Sequence, residues 1–203
     1  MKIYDQEGFP NPARVRMALA EKGLTESVEF VPVAVMEGEH RSPEFRAKNP
    51  TATVPVLELE DGSTIAECTA ITEYLDHAAG EPTLTGATAR QRGEIHMMSR
   101  RAEAQVMDAV GAYFHHATPG LGPDIESYQN AEWGEKQKTV AQAAFAYFNE
   151  TLADRRWLAG DDYSMADITL LAGLAFADFA KIEIPASLTN LTDWRARASA
   201  RYA

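Results

Sequence analysis

Val54-Pro55-Val56-Leu57-Glu58-Leu59-Glu60-Asp61-Gly62-Ser63-Thr64-Ile65-Ala66 runs without a break into Glu67-Cys68-Thr69-Ala70-Ile71-Thr72-Glu73-Tyr74-Leu75. Residues 54–59 and 63–66 are β-rich. The Asp61-Gly62 pair between them is a strong signal for a two-residue hairpin turn, because such turns need residues that tolerate a left-handed backbone. The two strands are therefore expected to be antiparallel neighbours. Ile71, Tyr74, Leu75 and Ala78 then recur at helical spacing until Gly80. The stretch reads as strand, turn, strand, helix.

Working upstream, Ile3-Tyr4 and Val28-Glu29-Phe30-Val31-Pro32-Val33 are two further strands, with Tyr4 assigned to the core. A helix between them starts near Pro12, where a missing N–H costs nothing, and presents Val15, Ala18 and Leu19 inward. Gly23 ends it as a left-handed cap. A short helix is expected near 42–47. The order β-α-β-α-β-β-α is thioredoxin-like, and its first crossover is expected to be right-handed.

Downstream, Gly80-Glu81-Pro82-Thr83-Leu84-Thr85-Gly86 reads as a linker, and β signals nearly vanish after it. One long helix is expected over 88–116, broken by Thr118-Pro119-Gly120-Leu121-Gly122-Pro123, and a second over 124–152. A third starts at Ser164-Met165-Ala166-Asp167. Ser164 caps it, Asp167 reaches back to the cap's own N–H, and Tyr163 staples onto Ile168. A fourth surrounds Trp194. The fold class expected is α+β: a thioredoxin-like domain over 1–80, a linker over 81–87, and an all-α domain over 88–203.

The 203-residue chain carries a net charge of −11, so nucleic acid is not an expected partner. Its one interrupted basic cluster, Arg90, Arg92, Arg100 and Arg101, reads as a solvated helix face or as intersubunit pairing. No run approaches the roughly 18 apolar residues of a membrane span, and the start shows no signal-peptide core. A single cysteine, Cys68, gives no internal disulfide framework. A soluble protein of a reducing, cytoplasmic compartment is the expectation.

The run Asn49-Pro50-Thr51-Ala52-Thr53-Val54-Pro55-Val56-Leu57, with Asp61-Gly62 and 65–75 after it, resembles the glutathione-binding signature of the cytosolic glutathione transferases. Ser164-Met165-Ala166-Asp167-Ile168 resembles that family's folding motif in the helical domain. The stretch from Tyr113 to Pro123, with Tyr128-Gln129-Asn130 and Glu132-Trp133-Gly134, is similar to a yeast-type subgroup and its bacterial relatives. The resemblance implies a homodimer that takes glutathione as co-substrate and needs no metal. It implies attack of the glutathione thiol on small hydrophobic electrophiles, in detoxification, with reduction of organic hydroperoxides as a further option.

Glutathione offers a γ-glutamyl end, a thiol and a glycine carboxylate, and each needs a partner of particular chemistry. The resemblance gives Val54, before a cis Pro55 and after Thr53, the role of pairing with the tripeptide main chain like an added strand. Glu67 and Cys68 open a helix whose free N–H groups favour an anion, which suits the γ-glutamyl carboxylate. Glu67 can take the neighbouring ammonium. Cys68 stands where the family usually has Ser: either a tolerated small residue beside the ligand or a reactive thiol. His40 stands where the family often places a group for the glycine carboxylate.

Thiol activation is harder to assign. Family members commonly use Tyr, Ser or Cys near the loop after the first strand, and residues 5–13 contain none of them. Three sources remain: the Asn11 side chain, main-chain N–H groups at the start of the first helix, and residues of the helical half. In that half, His115 and His116 are adjacent and point about 100° apart, so at most one faces the cleft. His115 is preferred as a general base through a bridging water, because it lies one turn after Gly111 on the same face, where missing side-chain bulk could admit water. Tyr113 and Trp133 are the candidates for the electrophile pocket. Two competing classes are a thiol-disulfide reductase, which residues 5–13 disfavour, and a non-catalytic ligand-binding protein on the same fold.

Overall fold

The computed structural model describes residues 1–202, which form two compact units. The first is Met1–Leu84, and the second begins at Thr85.

In the first unit the chain runs β1 (Lys2–Asp5), α1 (Pro10–Glu21), β2 (Glu29–Pro32), α2 (Pro43–Lys48), β3 (Val56–Glu58), β4 (Thr64–Ala66) and α3 (Cys68–Ala78). The sheet order is β2-β1-β3-β4, with β1 and β2 parallel and the other pairs antiparallel. Ile3 pairs with Leu57, and Leu57 with Ile65. Ile3 and Leu57 pack with Val15 and Leu19 of α1 and with Cys68, Ile71 and Leu75 of α3. The inward stripe of α1 therefore falls as the apolar spacing indicates; on α3 Ile71 and Leu75 do so, Tyr74 is half-buried against them, and Ala78, expected on the same stripe, is exposed because the helix runs past the sheet at its last turn.

Three details differ from expectation. The hairpin loop has three residues, because Gly62 N–H closes a turn on Leu59 O and Leu59 N–H then bonds Ser63 O, with Gly62 at φ +82°. A type I turn followed by a left-handed glycine supplies the same reversal as a two-residue turn. Helix α1 begins at Pro10, with Phe9 as its N-cap. Tyr4 does not enter the core. Side chains alternate along a strand, so buried Ile3 and Asp5 put Tyr4 on the other face, half-buried.

There the Tyr4 hydroxyl donates to Glu58 Oε2 at 3.0 Å, and Lys48 Nζ lies 4.6 Å from its ring centroid. Lys48 also pairs with Glu58 at 2.5 Å. Their mutual hydrogen bond, helped by Tyr4, raises the Lys48 ammonium above its ordinary pKa and lowers the Glu58 carboxyl. A depressed carboxyl stabilises the fold above its unfolded pKa and loses that contribution as pH falls through the folded value. Glu58→Gln should therefore cost about 0.5–1 kcal/mol at pH 7, a screened surface-pair magnitude. The difference from the wild type should shrink in urea titrations as pH falls below the ordinary carboxylate range.

The second unit contains α4 (Ala89–Ala102), a π-helical turn (Glu103–Met107), α5 (Asp108–Ala117), α6 (Ala131–Thr151), α7 (Met165–Phe179) and α8 (Thr189–Ser199). The single helix expected over 88–116 is thus one helical path with a wide turn inside it. Gly173 of α7 packs against that turn so closely that an added Cβ would lie 2.8 Å from Val106 Cγ1. Helix α6 starts later than expected, at Ala131, because Asn130 provides the cap: its Oδ1 accepts from Trp133 N–H at 3.0 Å.

The cap of α7 is as expected, with Ser164 N–H donating to Asp167 Oδ2 at 3.1 Å. Asp167 does more: its Oδ1 also accepts from Leu158 N–H at 3.0 Å and Trp194 Nε1–H at 2.9 Å. Tyr163, at the staple position, is buried and also stacks edge-on with Trp157 at 4.9 Å. Within the basic cluster Arg90 pairs with Glu94 and Arg100 with Glu103 and Asp108, while Arg101 donates to the Tyr147 hydroxyl. No helix among the described residues is long and apolar enough to cross a membrane.

Candidate functional site

Strand directions bring most of the first-unit candidates to one end of the sheet. β3 is antiparallel to both β1 and β4, so the end of β1, the start of β3 and the end of β4 lie together. Helices α1 and α3 begin at this end, and the link after β2 leads from it to His40. Cys68 Sγ donates to Asn11 O at 3.4 Å, which joins the two helix starts.

The mouth of α3 is open. Glu67, its N-cap, sits at φ 69° with no side-chain cap bond. A non-glycine residue at positive φ costs of order 1 kcal/mol or more, and such strain collects at ligand clamps. Here it turns Glu67 outward, exposed, while Cys68 is buried. The first main-chain bond of α3 runs from Ile71 N–H to Glu67 O, so the N–H groups of the turn before it, at Thr69 and Ala70, point out of the helix start without a main-chain acceptor among the described residues. Such a terminus favours an anion.

The Val54-Pro55 bond is cis. The Val54 main chain takes no backbone partner among the described residues, although Val56 beside it is already in the ladder. A polar main-chain edge of this kind suits an extended peptide. The turn before it is built by Asn49, whose buried amide donates to Thr53 O at 2.9 Å and Thr53 Oγ1 at 3.0 Å. Thr53 is thus fixed within the turn. Sequence reasoning passed over the bracing role of Asn49, whose position at the end of α2 and ahead of Ala52, at φ 55°, was the available signal.

His40 is 8% exposed, and its Nδ1 has no hydrogen-bond partner. Leaving a buried polar atom unpaired costs roughly 1–3 kcal/mol, so this nitrogen is prepared for a partner of its own. Burial first, then Arg41 and Arg46, lowers its pKa below the ordinary histidine value.

At the start of α1, Pro10 and Pro12 have no N–H, so Asn11 supplies the one main-chain donor among these three residues. Its side-chain Oδ1 accepts from Arg14 Nη1 at 3.2 Å, and Arg14 is itself buried. The Cys68 thiol also points to this oxygen at 3.7 Å, so the amide N–H₂ is the part of the side chain these bonds do not use.

In the second unit, His115 Nδ1 lies 2.7 Å from Glu126 Oε1. His116 turns away, its Nδ1 accepting from Asn130 N–H at 3.2 Å. The two neighbours thus diverge as helix geometry requires. The gap expected beside Gly111 is narrowed by Phe176, whose Cε1 would lie 3.5 Å from an added Cβ. Tyr113 lies under Lys138 Nζ at 4.9 Å, and Trp133 is 46% exposed. Neither contact makes an enclosed apolar pocket. A groove of about 550 Å³ between the end of α7 and α8 contains none of the candidate residues. Glu126 was missed from the sequence because it belongs to neither a helix nor a motif.

Comparison with known proteins matches residues 10–78 to the family model of the glutathione S-transferase N-terminal domain and residues 103–201 to that of the C-terminal domain. The chain is 54% identical over 201 residues to glutathione S-transferase 2 of Saccharomyces cerevisiae, covering 99% of this chain and 86% of that one. Among solved structures, a glutathione S-transferase domain-containing protein of Marinobacter aquaeolei is 64% identical with a TM-score of 0.98, covering 99% and 98% of the two chains. Gtt2 of Saccharomyces cerevisiae is 55% identical with a TM-score of 0.96, covering 97% and 95%.

Proposed function

This chain belongs to the glutathione S-transferase family, and we propose that its residues 1–80 hold glutathione while residues 88–203 supply the electrophile site. The observation that carries this reading is the sheet end where the unpaired Val54 main chain meets the open mouth of α3. The tripeptide main chain pairs with Val54, after Thr53 and before Pro55. Its γ-glutamyl carboxylate takes the N–H groups behind Glu67 and Cys68, and Glu67 takes the ammonium. His40 Nδ1 takes the glycine carboxylate, which answers its missing partner.

The thiol then faces Asn11. Lowering a thiol pKa by two units needs about 2.7 kcal/mol of preferential thiolate stabilisation, within reach of one or two well-placed donors. Asn11 offers a main-chain N–H and a side-chain amide for this. His115 takes the proton through one water, and Tyr113 and Trp133 line the electrophile's place. The reaction is conjugation to small hydrophobic electrophiles in detoxification, with organic hydroperoxides as a second substrate class. We place the protein in the cytoplasm as a homodimer. A thiol-disulfide reductase is disfavoured because buried Cys68 donates to Asn11 O.

The thiolate absorbance of bound glutathione, followed through a pH titration, tests the reading. An apparent thiol pKa at least one unit below the free value near 8.5 is expected, raised by Asn11→Ala. An unshifted thiol, or no retention on immobilised glutathione, would overturn it.

His40 gives a separate prediction. Its imidazole is held neutral by burial and takes up a proton when a carboxylate docks on it. Glutathione affinity should therefore fall as pH rises from about 6 to 8, by roughly threefold to tenfold. Calorimetry in buffers of different ionisation enthalpy should show proton uptake on binding, abolished in His40→Leu.

A further inference from the structure

Resting on His115 as the proton acceptor, we propose that Glu126 is the positioning residue for that step, holding the imidazole in the one tautomer able to accept. An ionised carboxylate only accepts hydrogen bonds. Glu126 Oε1 already accepts from Leu121 N–H at 2.8 Å, so the nitrogen 2.7 Å away, His115 Nδ1, carries the hydrogen. Nε2 is then left with its lone pair. In the other tautomer Nε2 would be occupied and the ring could not serve as a base.

The surroundings fit an anchored carboxylate and an open base. The Glu126 side chain is 10% exposed and that of His115 41%. Gly120 lies against the carboxylate so tightly that an added Cβ would sit 2.2 Å from Oε1. Gln129 Nε2 donates to His115 O at 2.7 Å and to Thr118 O at 2.8 Å, tying the segment after α5 to its last turn. The Phe114 ring stands edge-on to the imidazole at 5.1 Å.

Other charged or titratable groups on the neighbouring elements are engaged elsewhere or open to solvent. His116 is turned to Asn130, Lys138 lies over Tyr113, Asp178 of α7 pairs with Arg195, and Asp124 is exposed. Among the described residues, Glu126 is the charged group bonded to His115.

In the step itself the thiol S–H bond breaks and sulfur keeps the electron pair. The proton passes to a bridging water, while a proton of that water forms the Nε2–H bond. The resulting imidazolium faces Glu126, whose negative charge stabilises it until the proton leaves to solvent. The arrangement supports the base in the way a carboxylate supports a metal-bound or catalytic histidine.

Steady-state kinetics with glutathione and chlorodinitrobenzene between pH 5 and 9 test this on the full chain. Glu126→Gln keeps the size of the side chain and an acceptor but removes the charge. Its kcat should fall about tenfold to hundredfold with KM for glutathione within about twofold. The acid limb of the kcat profile should move toward lower pH, since an imidazolium without its anion releases its proton more readily. Glu126→Asp keeps the charge at shorter reach and should keep the wild-type limb. In His115→Ala, adding Glu126→Gln should bring no further loss. A Glu126→Gln enzyme with wild-type kcat beside an impaired His115→Ala overturns the role of Glu126 and leaves that of His115. Full activity in His115→Ala removes both. Loss in Glu126→Gln that adds fully to that of His115→Ala, with an unmoved limb, reduces Glu126 to a loop staple and also overturns the proposal.

Discussion

Asp167→Ala should destabilise the protein by about 4 kcal/mol or more. The carboxylate is fully buried and accepts four hydrogen bonds: from Leu158 N–H, Trp194 Nε1–H, and the N–H and hydroxyl of Ser164. Alanine leaves the indole and both main-chain donors inside without acceptors, at roughly 1–3 kcal/mol each. A total near 4 kcal/mol is a large part of the 5–15 kcal/mol that ordinarily separates folded from unfolded chains. Urea unfolding at pH 7 measures it, and a loss below 1 kcal/mol would contradict the central place given to Asp167.

The same carboxyl makes stability depend on pH. Burial pushes Asp167 up to about 6 against the pull of its four donors. A carboxyl raised in the folded state contributes stability that is complete below its unfolded pKa and is lost as pH rises through the folded value. Between pH 4 and 6 its contribution should decline by about 1.4 kcal/mol per pH unit. The stability of the wild type minus that of Asp167→Asn isolates this slope, because the amide does not titrate.

Gly134→Val should cost about 3 kcal/mol and lower kcat as well. A Cβ on Gly134 would lie 2.7 Å from Ala117 Cβ and 2.9 Å from Ala117 N, so α5 and α6 touch main chain to side chain here. Overpacking of a tight contact typically costs 1–3 kcal/mol. Valine, with two further methyl groups and a poor helix propensity, belongs at the upper end. The added atoms would also press 3.2 Å from the His116 carbonyl carbon, next to His115. Activity should therefore fall by more than the loss of folded protein, a split that thermal melts and kinetics on one preparation would reveal.

Sequence reasoning succeeded where the determining interactions are local. Ser164 and Asp167 are three positions apart and meet by helix geometry alone. The hairpin from Val56 to Ala66 follows from two β-rich runs and Asp61-Gly62, although the loop length depends on hydrogen bonding by Leu59 and Gly62 that composition does not encode. Tyr4 was misplaced because an aromatic in a short strand looks like core, whereas parity with Ile3 assigns it to the other face. The beginning of α6 was missed by several residues because Asn130 competes with the apolar pattern before it and wins through its side-chain cap.

The candidate site divides along the same line. The resemblance singles out Val54, Pro55, Glu67 and Cys68, and the β3 and α3 starts beside them lie where the sequence pattern puts them. The bracing roles of Asn49, which opens the run containing Val54 and Pro55, and of Arg14 are not legible in the sequence, since each holds a neighbour, Thr53 or Asn11, through a side-chain bond. Glu126 lies eleven positions from His115 in an irregular stretch, where no periodicity leads from one to the other.

The wide turn at Glu103–Met107 has one more effect. Such a turn accommodates one residue more than a regular helix would, so the segments on its two sides are out of phase by about 100°. Everything beyond Asp108 owes its angular setting to that surplus residue. Deleting one position here would straighten the rod and rotate Tyr113, Phe114 and the two histidines together by a quarter turn or more, interchanging their compass bearings while leaving each amino acid in place.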